Sequence, residues 1–291
     1  MRGADRRAAL ARVGRGMGYL QFILIPVVVY GLLVGFLYFN QRSMMFQPDQ
    51  QLPTPAAAGV ADMAPIQVTT TDGLTHTGWY KAAQAGNPTV VYFHGNGGNL
   101  GYSGFKARGL LDAGYGVFLA GYRGYGGNPG SPSEDGLYED ARAVLNYLRE
   151  NGIEAPDVVL YGESLGTGVA VRMAAEMAVV EPVAAVVLEA PYGSIVDVAS
   201  GHYPFVPAGL LLKDRFESVD RVARIDAPLL VIHGEADSVV PVAHGRKLYH
   251  AAQEPKIAVW IPGALHNNLY DHGAGERVLE FLAKIQSSAK N

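Results

Sequence analysis

The sequence predicts an α/β fold: a mostly parallel central sheet with helices on both faces, preceded by one transmembrane helix. Three observations carry this. From residue 88 onward, short and uniformly apolar runs alternate with helical patterns, as parallel strands buried on both faces do when helices connect them. The pentapeptide Gly162-Glu163-Ser164-Leu165-Gly166 stands between one such strand and a helical stretch. Ahead of all this, Tyr19 to Phe39 is almost wholly apolar, inside a stretch from Gly16 to Gln41 without a charged residue.

In chain order, the first element is a basic arm over residues 1–15, where Arg2, Arg6, Arg7, Arg12 and Arg15 face the single acid Asp5. The apolar run over 16–41 follows. About 20 such residues span a bilayer as a helix. A soluble core helix would carry a polar stripe, which is absent here. A cleaved signal peptide has an apolar region of about 7–15 residues and a small-residue cleavage site, whereas this run leads into Asn40-Gln41-Arg42. The sequence therefore predicts an uncleaved anchor. Gly31 and Gly35 form a G-x-x-x-G pair, a pattern that suits helix pairing but is common by chance. The arginines before the span, against Arg42 behind it, predict a cytoplasmic N-terminus. The rest of the chain is then expected on the outer or periplasmic face, most simply of a bacterial inner membrane. The absence of cysteine and of a usable N-x-[ST] site fits that side.

Residues 42–65, rich in proline, alanine and glutamine toward their end, read as a linker or extended lead-in. The remaining 66–291 read as one domain. It opens with a hairpin, because Asp72-Gly73 separates the β-rich runs 66–70 and 75–80. Strands are expected at Thr89–Phe93, Val117–Ala120, Val158–Tyr161, Ala184–Leu188, Pro228–His233 and Lys256–Ile261. Helices are expected at Phe105–Ala113, Glu134–Asn151, Leu165–Met177, Val242–Ala252 and Gly275–Gln286. The stretch from about 192 to 224 breaks this rhythm with Tyr203-Pro204-Phe205 and Leu210-Leu211-Leu212, and reads as an inserted lid. A length of 291 residues allows a substantial core. The balance of 23 basic against 27 acidic residues gives no support to nucleic-acid binding.

The chemistry centres on Ser164. A serine on a sharp strand-to-helix turn holds its hydroxyl clear of the sheet, with the following helix presenting N-terminal N–H groups to the reacting carbon. The serine needs a base, usually a histidine oriented by a carboxylate. Of the downstream histidines, His244 and His250 fall on an expected surface helix and His272 just inside the last helical stretch. His266 follows the strand ending at Ile261, where a loop at the strand's carboxyl end reaches the serine. Asp237, beyond the strand ending at His233, is the leading acid; Glu235 beside it and Glu189, at the end of another strand, are alternatives. The oxyanion donors are expected to be the backbone N–H groups of Leu165 and of Asn96, the latter in His94-Gly95-Asn96-Gly97-Gly98-Asn99 after a strand. A dinucleotide fingerprint at that loop is disfavoured, because Leu100 occupies the third glycine position. With no P-loop, H-E-x-x-H or C-x-x-C set, neither a metal nor a cofactor is expected.

Together with Arg42-Ser43-Met44-Met45-Phe46-Gln47-Pro48, Tyr122-Arg123-Gly124-Tyr125-Gly126, Ser131 to Leu137, His233 to Pro241 and Gly263 to His266, these stretches occur in the order found in one family. The chain resembles α/β-hydrolases of the Bem46-like group, which includes membrane-anchored members. The resemblance covers about residue 42 to the C-terminus. It implies a serine hydrolase with Ser164, Asp237 and His266 as its triad, and leaves lipases, thioesterases, esterases and peptidases open as models. Tyr122 stands where many α/β-hydrolases carry an acid. The expected substrate is a small-molecule or lipid-like acyl ester or thioester. The rivals are a serine peptidase on the same triad and a catalytically silent anchored interaction protein; the second usually lacks a triad member, and none is missing here.

Overall fold

The computed structural model describes the backbone of residues 3–289 and the side chains of Phe22 and of residues 24–287. Two compact units divide at Met44 and Met45. The first is a single helix, α1 (Gly3–Met45), with Pro26 inside it. Among the described residues, Leu24–Met45 is long and apolar enough to cross a membrane, and Ile25, Val29, Leu32 and Phe36 on it are exposed. Arg2 and the side chains of Arg6, Arg7, Arg12 and Arg15 lie outside the described residues.

The second unit is built on an eight-stranded sheet. Its strands are β1 (Ala64–Thr69), β2 (Thr75–Lys81), β3 (Thr89–Phe93), β4 (Gly116–Ala120), β5 (Val158–Glu163), β6 (Ala185–Glu189), β7 (Leu229–Gly234) and β8 (Lys256–Ile261). The spatial order is β1-β2-β4-β3-β5-β6-β7-β8. β1 pairs antiparallel with β2, and β2 with β4; every other pairing is parallel. The hairpin expected at Asp72-Gly73 joins β1 to β2, with Gly73 at φ +83°, the left-handed region that glycine tolerates.

Alternation along the central strands splits the core in two. Val117 and Leu119 of β4, with Val90 and Tyr92 of β3, pack with α2 (Gly104–Asp112) and α8 (Ala274–Ala289). Phe118 and Ala120 point the other way, toward α3 (Glu134–Glu150), α4 (Leu165–Met177) and α7 (Val242–Ala251). Strands buried on both faces must be apolar at every position, which is why they read as unbroken runs in the sequence.

Most boundaries shift by a residue or two from expectation, and two of the differences bear on the site. β5 runs two residues further than Tyr161, so Glu163 ends a strand beside Glu189 at the end of β6. His272 closes a short 3-10 turn (Leu269–His272) ahead of α8 rather than lying inside that helix. The segment read as an insertion contains α5 (Ile195–His202) and α6 (Ala208–Leu211). Glu134, in the first turn of α3, holds it down by accepting the N–H groups of Arg215 (2.6 Å) and Phe216 (2.9 Å).

Candidate active site

Ser164 sits between β5 and α4 with φ 49° and ψ −115°, a left-handed backbone unusual for a residue with a side chain. The glycines around it are required by close approach. A Cβ on Gly166 would stand 2.0 Å from the Phe93 carbonyl oxygen, and one on Gly162 2.5 Å from the Gly166 oxygen. The turn can therefore close only with glycine at both places. Its backbone is pinned from the side, since the Ser164 N–H donates to the Glu189 carbonyl at 2.8 Å.

The loop after β8 brings His266 to the serine, with Nε2 2.9 Å from Ser164 Oγ. On the other side of the ring, Nδ1 lies 2.7 Å from Asp237 Oδ2. Asp237, in the loop after β7, is buried, and its Oδ1 accepts the N–H groups of Val239 (2.9 Å) and Val240 (2.8 Å). Burial pushes this carboxyl up, but bonding to His233 and His266 and the backbone N–H of Val240 outweigh it and hold it well below the usual carboxylate range. A carboxylate on one side of His266 sets the proton on Nδ1 and leaves Nε2 as the acceptor facing the serine.

The other expected residues fall as follows. Leu165 is the first residue of α4, so its N–H belongs to the first turn, which has no carbonyl partner within the helix. Asn96 lies in the loop after β3, which passes beside the serine: a Cβ on Gly95 would be 3.6 Å from Ser164 Cβ. The peptide between Gly95 and Asn96 is aimed by His94, whose Nδ1 donates to the Gly95 oxygen at 2.8 Å. In a planar trans peptide the N–H points opposite to the carbonyl, so this bond directs the Asn96 N–H away from His94. His94 packs against Tyr122 and Tyr125, and burial pulls its pKa down to about 4, keeping the ring neutral. Tyr122, where an acid is common, donates to the His94 carbonyl at 3.2 Å.

Neither alternative acid reaches His266. Glu235 is bonded to Arg246 on the surface at 2.6 Å. Glu189 is buried and accepts from Lys106 (2.9 Å) and Tyr161 (2.6 Å). Lys106 also pairs with Glu163 at 3.1 Å, and Tyr92 donates to that same carboxylate. Burial pushes both glutamates up. The Lys106 ammonium overcomes this at Glu163, which stays low, but not at Glu189, which is left raised.

In the sequence, Lys106 has no role beyond its helix, and His233 and Phe46 to Asp49 have none beyond family-like stretches and a linker. His233 is fully buried, bonds the Val240 carbonyl at 2.7 Å and lies 3.2 Å from Asp237 Oδ2; its i, i+4 spacing from Asp237 was the available signal. A cleft of about 590 Å³ opens over Ser164, lined by His94 to Asn99, Tyr102, Phe105, Lys106, Glu163, Val239 and His266. Among the described residues, no cluster of histidines and carboxylates is arranged to hold a metal.

Comparison with known proteins agrees with the fold. A family model described as alpha/beta hydrolase fold matches residues 88–218, and one described as serine aminopeptidase, S33, matches residues 211–273. The Mycobacterium tuberculosis protein Rv2307c is 38% identical over 253 residues, covering 86% of this chain and 88% of that protein. Escherichia coli YfhR is 29% identical over 288 residues, covering 96% and 98%. Among solved structures, the Pyrococcus furiosus esterase Pf2001 superposes with a TM-score of 0.66 at 21% identity, over 82% of this chain and 99% of that one. The strand order, the strained serine turn and these relatives together make the chain a hydrolase that belongs to the α/β-hydrolase superfamily, in keeping with its Bem46-like motifs.

Proposed function

We propose that the chain is a membrane-anchored serine hydrolase that cleaves carboxylic ester or thioester bonds of acyl, lipid-like substrates through an acyl-enzyme. The observation that carries this reading is the continuous bridge Ser164 Oγ to His266 Nε2 (2.9 Å) and His266 Nδ1 to Asp237 Oδ2 (2.7 Å) at a strained strand-to-helix turn. His266 takes the Ser164 proton as Oγ attacks the acyl carbonyl. Asp237, kept ionised, stabilises the imidazolium that results. The N–H groups of Leu165 and Asn96 receive the oxyanion, an interaction worth about 3–4 kcal/mol per donor. His266 then protonates the leaving alkoxide or thiolate. A water deprotonated by the same ring releases the acid and restores Ser164.

The substrate class rests on apolar side chains at and near the cleft. Tyr102, Phe105 and Val239 line it while more than half exposed or nearly so, and His202 of α5 bonds the Val239 carbonyl at 2.9 Å. The exposed Tyr203, Phe205 and Leu210 follow on that same insertion, which acts as a lid. Labelling with a fluorophosphonate tests the nucleophile: the wild-type chain labels, and Ser164→Ala, still folded, does not. A mutant that labels as well as wild type refutes the assignment. On graded acyl esters kcat/KM rises with chain length; a flat or falling series removes the lipid-like substrate.

A serine aminopeptidase on the same residues is the second reading, favoured by the match of that family's model to residues 211–273. Such an enzyme holds its substrate's free amine with a carboxylate. Glu163 in the cleft is already engaged by Lys106 and Tyr92, which favours the ester reading, and a peptide panel separates the two. The anchor is the apolar helix, with the arginine-rich arm cytoplasmic and the hydrolase domain on the outer or periplasmic face of a bacterial inner membrane. Protease added from the outer face digests a domain so oriented; complete protection would place it inside.

A further inference from the structure

The stretch just after the apolar helix does more than connect it to the hydrolase domain. α1 ends at Met45, and the next residues run straight onto the loop that carries Asn96. Gln47 and Pro48 pair in parallel with Gly97 and Gly98. The Gln47 N–H donates to the Asn96 carbonyl at 2.9 Å, and the Asp49 N–H to the Gly98 carbonyl at 2.8 Å. In the other direction Asn96 Nδ2 donates to the Met45 carbonyl at 3.1 Å. Two more bonds extend the lacing: Tyr102 OH to Asp49 Oδ2 (3.1 Å) and Asn99 Nδ2 to the Gln51 carbonyl (3.2 Å). Phe46, buried to 2% exposure in the core shared with Tyr125, plugs the stem in place.

These bonds converge on one residue. The Asn96 carbonyl is held twice, by the Gln47 N–H and by Tyr125 OH at 2.8 Å, and its side chain is held by Met45. The preceding peptide is held by His94 through the Gly95 carbonyl. Glycine-rich loops have little intrinsic stiffness, because glycine loses the most conformational freedom on ordering. In His94-Gly95-Asn96-Gly97-Gly98 three of the five residues are glycine. The loop's geometry must come from outside it, and the stem supplies a large part of that. An oxyanion donor acts only if it is already aimed where the charge develops.

We propose that the stem Met45 to Asp49 is a positioning element of the oxyanion hole, bracing Asn96 so that its N–H meets the tetrahedral intermediate. The proposal rests on the serine-hydrolase reading above. One stretch of chain is then both tether and catalytic brace, and disturbance of the tether is felt in the transition state rather than in substrate binding.

The test uses the full chain in detergent micelles with a p-nitrophenyl ester and a trifluoromethyl ketone of the same acyl group. Asn96→Ala removes the side-chain bond to Met45 but keeps the Asn96 N–H. Gln47→Pro removes the backbone donor to the Asn96 carbonyl. Removing an oxyanion donor outright costs about 10²–10³ in rate, so misaiming one is expected to lower kcat about 10- to 100-fold with KM within about threefold. The ketone forms the oxyanion itself, so its affinity falls in proportion to kcat/KM. Asn96→Ala alone decides the matter if the proline variant does not fold. The proposal is overturned if Asn96→Ala keeps its kcat to within about twofold, or loses kcat without weakening the ketone. Failure of the underlying reading looks different: the wild-type chain itself then shows no Ser164-dependent labelling by fluorophosphonate.

Discussion

Two clusters of buried acids flank Ser164, and their partners give them different fates. On one side Asp237 meets two backbone N–H groups, His266 and His233. On the other, Glu163 and Glu189 share the single ammonium of Lys106, with Tyr92 and Tyr161 filling the remaining acceptor positions. Both clusters stand at carboxyl ends of strands, where an α/β-hydrolase carries its acid. Only the first has a titratable ring between the carboxylate and the serine. In the second the charge is met by the Lys106 ammonium, with no ring bridging Glu189 to the Ser164 hydroxyl. The Glu189 backbone holds the turn, since its carbonyl accepts the Ser164 N–H. Position at a strand end makes a carboxylate available; the neighbour on its far side decides whether it takes part in chemistry.

The sharpest way to break this contrast is to neutralise each acid in turn. Asp237→Asn keeps the shape but removes the charge that orients His266, and kcat is expected to fall by about 10⁴ with the fold intact by circular dichroism. Glu189→Gln keeps an acceptor for Lys106 and touches neither His266 nor Ser164 Oγ, so its loss of kcat is expected to be at least 100-fold smaller, on the order of tenfold or less. Equal losses would leave the acid unassigned, and a reversed order would exchange the two roles.

The contrast also shows where sequence reading stops. The sheet was legible because each central strand is buried on both faces, and Val117-Phe118-Leu119-Ala120 serves two cores at once. The serine turn was legible because Gly162 and Gly166 have no tolerable replacement at their contact distances. The sequence put Asp237 ahead of Glu189 as the acid but left Glu189 open as an alternative. Each is an acid after an apolar run, and what distinguishes them is Lys106, 83 positions away from Glu189 in the chain. Helical periodicity places Lys106 on α2 without revealing that its side chain turns inward. The stem was hidden for a related reason: a two-residue parallel pairing has no period, and a proline-containing stretch reads as a connector. Long-range pairings of short, irregular segments leave no local pattern, and here they hold the loop that carries Asn96.

Asp237 and Glu189 should also respond to pH with opposite sign, which is the smallest of the expected effects and the most direct reading of their electrostatics. Asp237 is held below its ordinary pKa by its bonds in spite of burial. Its contribution to stability is therefore present above about pH 4, the unfolded value, and is lost as pH falls toward the folded one. Glu189 is raised, chiefly by burial and then by the neighbouring Glu163 charge, with Lys106 opposing. Its contribution is complete below about pH 4.3 and is lost as pH rises through the folded value. Urea unfolding of the full chain in detergent, followed from about pH 3 to 8, separates the two. Asp237→Asn flattens the acid limb, by on the order of 1–2 kcal/mol between about pH 5 and 3, and leaves the neutral limb alone. Glu189→Gln flattens the decline toward neutral pH and leaves the acid limb to Asp237 and Glu163, whose carboxyls are both held low. If both variants flatten the same limb, the two carboxylates are held by the same physics and the contrast fails. If they act on opposite limbs, Lys106 is under-matched to its two acids, and Glu189 keeps its proton more readily than the acid beside His266.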